Sequence, residues 1–284
     1  SHENEDFFLG LQASAFEDLT ENNKNDEYEY ILPDIILDKN LFSSNRYGYA
    51  DLQSNLIFHN FETNKLTKFF INDIDWKYKE NKYSSGLKGR LLGKLKNVNY
   101  ETKNTEIYKN DTTNELFGAI GYLAQLDLFK KMRDNGSHML TPKLLLRYAP
   151  GHMRKETEKT RLSHANIFTL DRLNTNKNFE SGLSSTLGFN YEFQTSDKKL
   201  DFSIAQIINE KENQNMPSSS SLNQRFSDVI ASSELEIDDN IKLNYNFALD
   251  QNYKTLNYNE IGASFNFDPI KFNFDYLQEK EHIG

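Results

Sequence analysis

Apolar and polar residues alternate one for one along much of this chain. Leu187, Phe189, Tyr191 and Phe193 alternate with Gly188, Asn190 and Glu192. Ile241, Leu243, Tyr245, Phe247 and Leu249 alternate with Lys242, Asn244, Asn246 and Ala248. Ile261, Ala263, Phe265 and Phe267 alternate with Gly262, Ser264 and Asn266, and Phe272, Phe274 and Tyr276 with Asn273 and Asp275. Upstream, Leu116, Ile120, Tyr122, Leu126 and Leu128 share one parity, and Phe70, Ile74, Trp76 and Tyr78 stand against Ile71, Asp73, Asp75 and Lys77. A period of two marks strands with two unlike faces. The pattern predicts about a dozen strands, near 7–16, 28–38, 47–60, 67–79, 85–100, 114–129, 139–149, 181–194, 199–209, 229–237, 241–251, 256–267 and 271–279. No long segment keeps an apolar stripe at the helical period with capping signals. The stretch 86–95 resembles a basic helix, but each of its three glycines costs about 1 kcal/mol inside one.

The connections carry a second signal. Tight turns are expected at Asp197-Lys198-Lys199, Asp238-Asp239-Asn240 and Asp268-Pro269, where Asp, Asn and Pro suit local side-chain bonding or a fixed φ. Long polar connections lie at 102–113, 151–179 and 210–227. Short and long connections roughly alternate, as in an outer-membrane barrel with short periplasmic turns and long outer loops. Several strands run to ten residues or more, whereas soluble sandwiches favour about five or six. A soluble all-β protein with one wet face shares the alternation but not the strand length. The expected fold class is therefore all-β, an antiparallel transmembrane β-barrel segment. Trp76, Tyr78, Tyr191, Tyr245 and Tyr276 are candidates for the aromatic belts where rings meet headgroups.

Composition adjusts this picture little. The 284 residues suffice for one large domain or two small ones. Tyr and Phe, with 15 and 21 copies, favour strands. With no cysteine, neither disulfides nor thiolate metal sites are available. The net charge of −9 argues against a nucleic-acid partner. No run approaches the roughly 18 apolar residues of a membrane helix, but a strand crosses with about ten, only half of them facing lipid. The start, Ser1-His2-Glu3-Asn4-Glu5-Asp6, lacks Met and a signal pattern, so the chain is read as an interior piece of a longer one.

A family resemblance rests on several motifs. The segment Leu140-Thr141-Pro142-Lys143-Leu144-Leu145-Leu146-Arg147-Tyr148-Ala149-Pro150 resembles the central signature of the lipopolysaccharide-assembly outer-membrane protein family, often called LptD or OstA. Ala165-Asn166-Ile167-Phe168-Thr169-Leu170-Asp171-Arg172-Leu173 resembles its loop motif. Asn178-Phe179-Glu180-Ser181-Gly182 and Gly188-Phe189-Asn190-Tyr191 resemble the strand entry that follows. Tyr28-Glu29-Tyr30-Ile31-Leu32-Pro33 is similar to an upstream element, with Glu27 where Arg is common, and Met216-Pro217 through Ser227-Asp228 to a further outer loop. The resemblance covers nearly the whole chain in the family's order. It implies a barrel of about 26 strands, of which residues 1–284 would be wall and outer loops, without the periplasmic jellyroll or the barrel ends. It implies a cell outer-membrane location in contact with the lipid bilayer. The implied task is translocation and insertion of lipopolysaccharide into the outer leaflet, with a plug lipoprotein of the LptE type in the lumen and a periplasmic Lpt bridge reached through the jellyroll. No enzymatic activity and no cofactor are implied.

Several residues stand out within that frame. The motif positions Tyr28, Tyr30, Pro33, Pro142, Arg147, Tyr148, Pro150, Asp171, Arg172, Gly182, Gly188 and Tyr191 are candidate structural positions. Arg147 lies on an otherwise apolar strand, and on the lipid face at mid-membrane it would cost about 2–4 kcal/mol. It is expected to face inward, paired with Asp171 or another carboxylate, as a lock that tucks the long loop into the lumen. Gln53, Asn55, Asp73, Asp75, Asn190, Glu192, Asn244 and Asn246 form the expected inward polar set, able to meet sugars, water or a plug protein. Arg154, Lys155 and Arg161, near His152, Lys159 and His164, are candidates for lipopolysaccharide phosphates, with Glu156 and Glu158 as offsetting charges. His138 and His152 lack a second ligand at metal-site spacing. Ser137-His138 and Ser163-His164 are sequence neighbours, which is no evidence of a catalytic pair. A general porin, a barrel hydrolase and a secreted adhesin are the competing readings, and none needs these motifs.

Overall fold

A computed structural model describes residues 2–4, 6–17, 28–61, 65–133, 136–238 and 240–280. Asp239, in one expected turn, and Glu27 lie outside the described residues. The described strands all belong to one antiparallel sheet, hydrogen-bonded essentially in chain order. The chain divides into two compact units, 1–79 with 92–120 and 175–179, and 80–91 with 121–174 and 180–284.

The first unit holds β1 (His2–Asn4), β2 (Phe7–Glu17), β3 (Tyr28–Ser44), β4 (Gly48–Phe61) and β5 (Leu66–Lys77). It also takes most of β7 (Leu87–Lys103) and half of β8 (Thr113–Leu126), β6 (Asn81–Lys82) belonging to the second unit. The β5–β7 register sets Phe69 opposite Tyr100, Ile71 opposite Val98, Asp73 opposite Lys96 and Asp75 opposite Lys94. Directly opposed residues point to the same face, so these form one face, while Phe70, exposed, stands on the other. Gln53 on β4 lies opposite Asp73 and shares this face. That face also carries the buried Phe69, Ile71, Val98 and Tyr100. The apolar patch has a cover. Tyr108 packs edge-on against Phe69 and Tyr100, with ring centres 5.0 and 5.4 Å apart. Lys177 lies 4.9 Å from the Phe69 ring centre, and Phe179 stacks on Phe117. On the opposite face Trp76 packs edge-on against Tyr78 and donates its indole N–H to the Tyr47 carbonyl at 2.9 Å.

The second unit holds β9 (Leu128–Lys131), β10 (Ser137–Ala149), β11 (Gly182–Gln194), β12 (Lys198–Asn209), β13 (Val229–Ile237), β14 (Ile241–Leu249), β15 (Leu256–Phe267) and β16 (Ile270–Glu279). Its register converts the sequence alternation into faces. Asn190, Ser203, Ser232, Asn246 and Glu260 form one cross-strand row, and Glu192, Asp201, Glu234 and Asn244 the next. The opposite face carries Leu187, Ile261, Phe272, Phe274 and Tyr276, all exposed. An exposed apolar band beside a polar, loop-covered face is the reverse of a soluble core and matches a wall between lipid and a wet lumen. Tyr191 lies near the short-turn end of β11 and Tyr245 midway along β14.

The thirteen expected strands are present, and residues 86–95 lie largely within β7 rather than a helix. The only helical turn among the described residues is a 3-10 turn at Ser218–Ser220. The boundaries differ by a few residues: β3 runs on to Ser44, and the region near 114–129 is broken at Asp127 into β8 and β9. Long connections at 104–112, 150–181 and 210–228 alternate with the short turns at 195–197 and 268–269. Gly188 stands where β11 and β12 approach closely. A Cβ there would lie 2.3 Å from the Ile204 carbonyl oxygen and 2.5 Å from the Ala205 Cβ. Gly188→Val should therefore destabilise the pair by about 1–3 kcal/mol or more, as overpacking does. The expected result is a lower heat-modifiable folded fraction of the full-length protein; an unchanged fraction would refute this close approach.

Candidate functional site

The long 150–181 loop returns onto the polar face of the second unit, fastened by a buried charged group. Arg147 projects from β10 opposite Ser184 and is 1% exposed. Its Nε donates to the Leu170 carbonyl at 2.7 Å, and its guanidinium also donates to the Glu180 backbone carbonyl. Arg172, 0% exposed, forms a two-pronged pair with the Glu180 carboxylate, Nε to Oε2 at 2.7 Å and Nη2 to Oε1. Nη2 of Arg172 also donates to Ser184 Oγ at 3.1 Å. Glu180 stands 4.0 Å from Arg147 as well, so one carboxylate faces two guanidinium groups. The Glu180 carboxyl is pushed up by burial, but the Arg172 and Arg147 charges outweigh this and hold it below its ordinary value.

The local sequence shapes the loop to meet this anchor. Asn166 Oδ1 accepts the Ser163 N–H at 2.8 Å, starting a tight turn in which the Ile167 and Thr169 amides donate to the Ser163 and Asn166 carbonyls. The turn presents Ile167 and Leu170, both buried, to the sheet. The Ile167 carbonyl accepts from Thr186 Oγ1 on β11. Leu170 fits because residue 121 on β8 is glycine; a Cβ there would lie 2.6 Å from the Leu170 Cδ2. The following 175–179 belongs to the first unit, described above.

The 210–228 loop joins the 150–181 loop. The Glu156 N–H donates to the Asn215 carbonyl at 2.7 Å, and the Asn215 amide to the Met153 carbonyl at 3.0 Å. Met153, Leu162, Ile167, Met216 and Leu222 from the loops pack with Ala205, Ile207, Ile230, Ala248 and Tyr258 from the wall. The wall thus gives its apolar inner positions to the loops and leaves its polar rows nearer the short-turn end.

The motif residues fall into distinct places. Arg147, Asp171, Arg172 and Gly182 converge on the anchor; Gly182 begins β11 with a φ of +119°, a conformation that favours glycine. Asp171 adds favourable charge near Arg147, and Arg147 also faces the carboxylate of Glu180, a residue not singled out in the sequence although it lies inside a quoted motif. Its spacing of eight from Arg172 across a loop follows no regular period. Pro142 and Tyr148 lie on β10 with the apolar face, Tyr148 exposed, and Pro150 opens the loop. Tyr191 accepts or donates a hydrogen bond to His138 Nδ1 at 2.8 Å. Tyr28, Tyr30 and Pro33 lie on β3 of the first unit, with Tyr30 exposed. Among the phosphate candidates, Lys155 is exposed, Arg154 half-buried, and Arg161 lies 3.7 Å over the Tyr258 ring. Among the described residues no cluster of three or more His, Asp or Glu side chains stands ready for a metal ion.

The anchor generates a sharp prediction. Glu180→Ala leaves two buried cations facing each other and should cost about 3–5 kcal/mol, seen as faster hydrogen exchange over 160–174 and lower folded yield. Because the folded-state value is depressed, the carboxylate's stabilisation is present above the ordinary value of 4.5 and is lost as pH falls through the lower folded value. Protection of the loop should accordingly drop only at pH values below the ordinary 4.5 in the wild type, and a loss centred near neutrality would contradict this assignment.

No curated protein matches the chain. A family model does: LptD, LPS transport system D, matches residues 1–283. A membrane-barrel family of transport and outer-membrane assembly accounts for the sheet, its apolar outer band and its inward-folded loops together, and this chain belongs to that LptD family.

Proposed function

We propose that the parent protein translocates lipopolysaccharide across the outer membrane and inserts it into the outer leaflet, this chain supplying barrel wall and outer loops. The family match over residues 1–283 carries the reading. The polar rows Asn190 to Glu260 and Glu192 to Asn244 support it, because a wet inner wall accommodates sugars while acyl chains stay in hydrocarbon. The barrel ladder satisfies backbone groups that lipid cannot. The partners of this reading are lipopolysaccharide, a plug lipoprotein of the LptE type, the periplasmic Lpt bridge met through a jellyroll domain, and the bilayer of the cell outer membrane.

Within the reading, Arg147, Arg172 and Glu180 act as a lock that keeps the 150–181 loop against the wall. Of the loop cations, the exposed Lys155 is the first candidate for a lipopolysaccharide phosphate, since Arg154 is half-buried and Arg161 covers Tyr258. Neither Ser137-His138 nor Ser163-His164 forms a described hydrogen-bonded catalytic pair. His138 instead bonds Tyr191.

The test is depletion of the parent protein in its own host. Newly made lipopolysaccharide should fail to reach the cell surface and collect further in. Unchanged surface lipopolysaccharide with reduced uptake of a solute would instead make the protein a solute channel. Lys155→Gln should slow surface arrival of phosphorylated lipopolysaccharide several-fold while folded yield holds; unaltered arrival would remove this residue from the path.

A further inference from the structure

The hairpin after Asp127 carries charge that the lock and the loops do not use. β9 continues the line of β8 beyond a break at Asp127 and pairs only with the start of β10, from Leu128 opposite Leu140 to Lys131 opposite Ser137. The break is stabilised locally: the Asp127 carboxylate accepts from Lys88 and from Thr141 Oγ1 at 3.2 Å. Lys88 pairs with that carboxylate, so the nearest acid is already compensated. Residues 128–136 then carry Lys130, Lys131 and Arg133 against the single acid Asp134. The Met132 N–H closes the turn onto the Gly136 carbonyl at 2.8 Å.

The register sorts these cations by face. Leu128 pairs with Leu140 and Lys130 with His138, and both pairs share the apolar outer face with Tyr191 and Phe193 of β11. Lys131, opposite Ser137, points to the other face. Along the outer face the order is apolar, then aromatic and cationic. Leu128, 47% exposed, comes first. One pleat further, Lys130 stands level with His138, whose ring centre lies 5.0 Å from that of Phe193 and which bonds Tyr191. The exposed Met132 and Arg133 follow in the turn. This is the sequence of environments met on leaving hydrocarbon for a headgroup layer, where rings sit at the boundary and long cationic side chains reach phosphates.

We propose that Lys130 and Arg133, beside the His138–Tyr191–Phe193 cluster, form a binding site for the phosphate of an anionic phospholipid at the membrane surface nearest the short turns. Charge complementarity selects the occupant: cations on an exposed, amphipathic outer face attract anionic lipid and are indifferent to zwitterionic lipid. The site rests on the membrane reading above and concerns the leaflet opposite the one that lipopolysaccharide enters.

The experiment places the intact parent protein, with its own partners, in nanodiscs of phosphatidylcholine containing trace spin-labelled phosphatidylglycerol or spin-labelled phosphatidylcholine. The wild type should hold the anionic label over the zwitterionic one by about fivefold or more, since one cation near a charged surface is worth roughly that factor. Lys130→Gln with Arg133→Gln should bring the ratio close to one. Lys131→Gln removes one positive charge from the opposite face and should leave the ratio near the wild-type value. High salt should erase the wild-type preference, and this measurement stands even if the double variant assembles poorly. An equal hold on both labels by the wild type overturns the site. So does an equal loss in Lys131→Gln and the double variant, which would mark a general charge effect. Lipid preference is read without any transport, so a failed lipopolysaccharide assay with a retained preference sinks the transport reading alone, and the converse sinks only the site.

Discussion

Backbone hydrogen bonding in an apolar setting constrains everything else in this chain. A strand with one face in hydrocarbon has no water to satisfy its amides, so each must find a neighbouring strand. Pairing essentially in chain order does this with the shortest connections. Where pairing runs out, loop atoms take over. Ahead of the start of β13, the Asn209 N–H donates to the Arg225 carbonyl, and Ile207 exchanges bonds with Ser227. The 210–228 loop is therefore a continuation of the wall's bonding as much as a connection. Register follows from the same constraint, because a slip of one residue would turn Leu187 and Ile261 inward and Asn190 and Glu260 into lipid.

Burying two guanidinium groups is costly unless their donors and charge are met. Here the Glu180 carboxylate, the Leu170 and Glu180 carbonyls and the Ser184 hydroxyl meet most of them, while Arg172 Nη1 is buried without a hydrogen-bond partner. The arrangement gives the loop one position rather than many. An apolar contact alone tolerates sliding, whereas a two-pronged guanidinium–carboxylate pair has a fixed geometry. The apolar cluster of Met153, Leu162 and Ile167 with Ile207 and Ile230 supplies area, and the ionic group supplies placement. The first unit uses a related device in weaker form, with Lys177 over the Phe69 ring and Phe179 stacked on Phe117.

The strands were legible because a two-residue period survives in the sequence wherever the faces differ. The β9 break, the short β6 and β1 were not, since four residues or fewer establish no period. Ile71 shows a second limit. It shares parity with Asp73 and Asp75, and nothing in the sequence says that Tyr108 and Lys177 cover an apolar patch on the polar face. Arg147 was legible as inward-facing from the cost of the alternative. Its surroundings were not: Glu180 meets Arg172 across eight residues of irregular loop and Arg147 across thirty-three, and no local rule links such positions.

The inward fold of the 150–181 loop also limits what another organism can recognise. On the outer-membrane reading, a phage or an antibody approaching this loop meets exposed residues that include His152, Lys155, Thr157, Glu158, Lys159, Arg161 and His164, while Arg147, Arg172 and Phe179 stay out of reach. These visible side chains are polar and take no part in the anchor. Thr157, Glu158 and His164 can therefore vary under immune pressure without disturbing the residues that hold the loop in place.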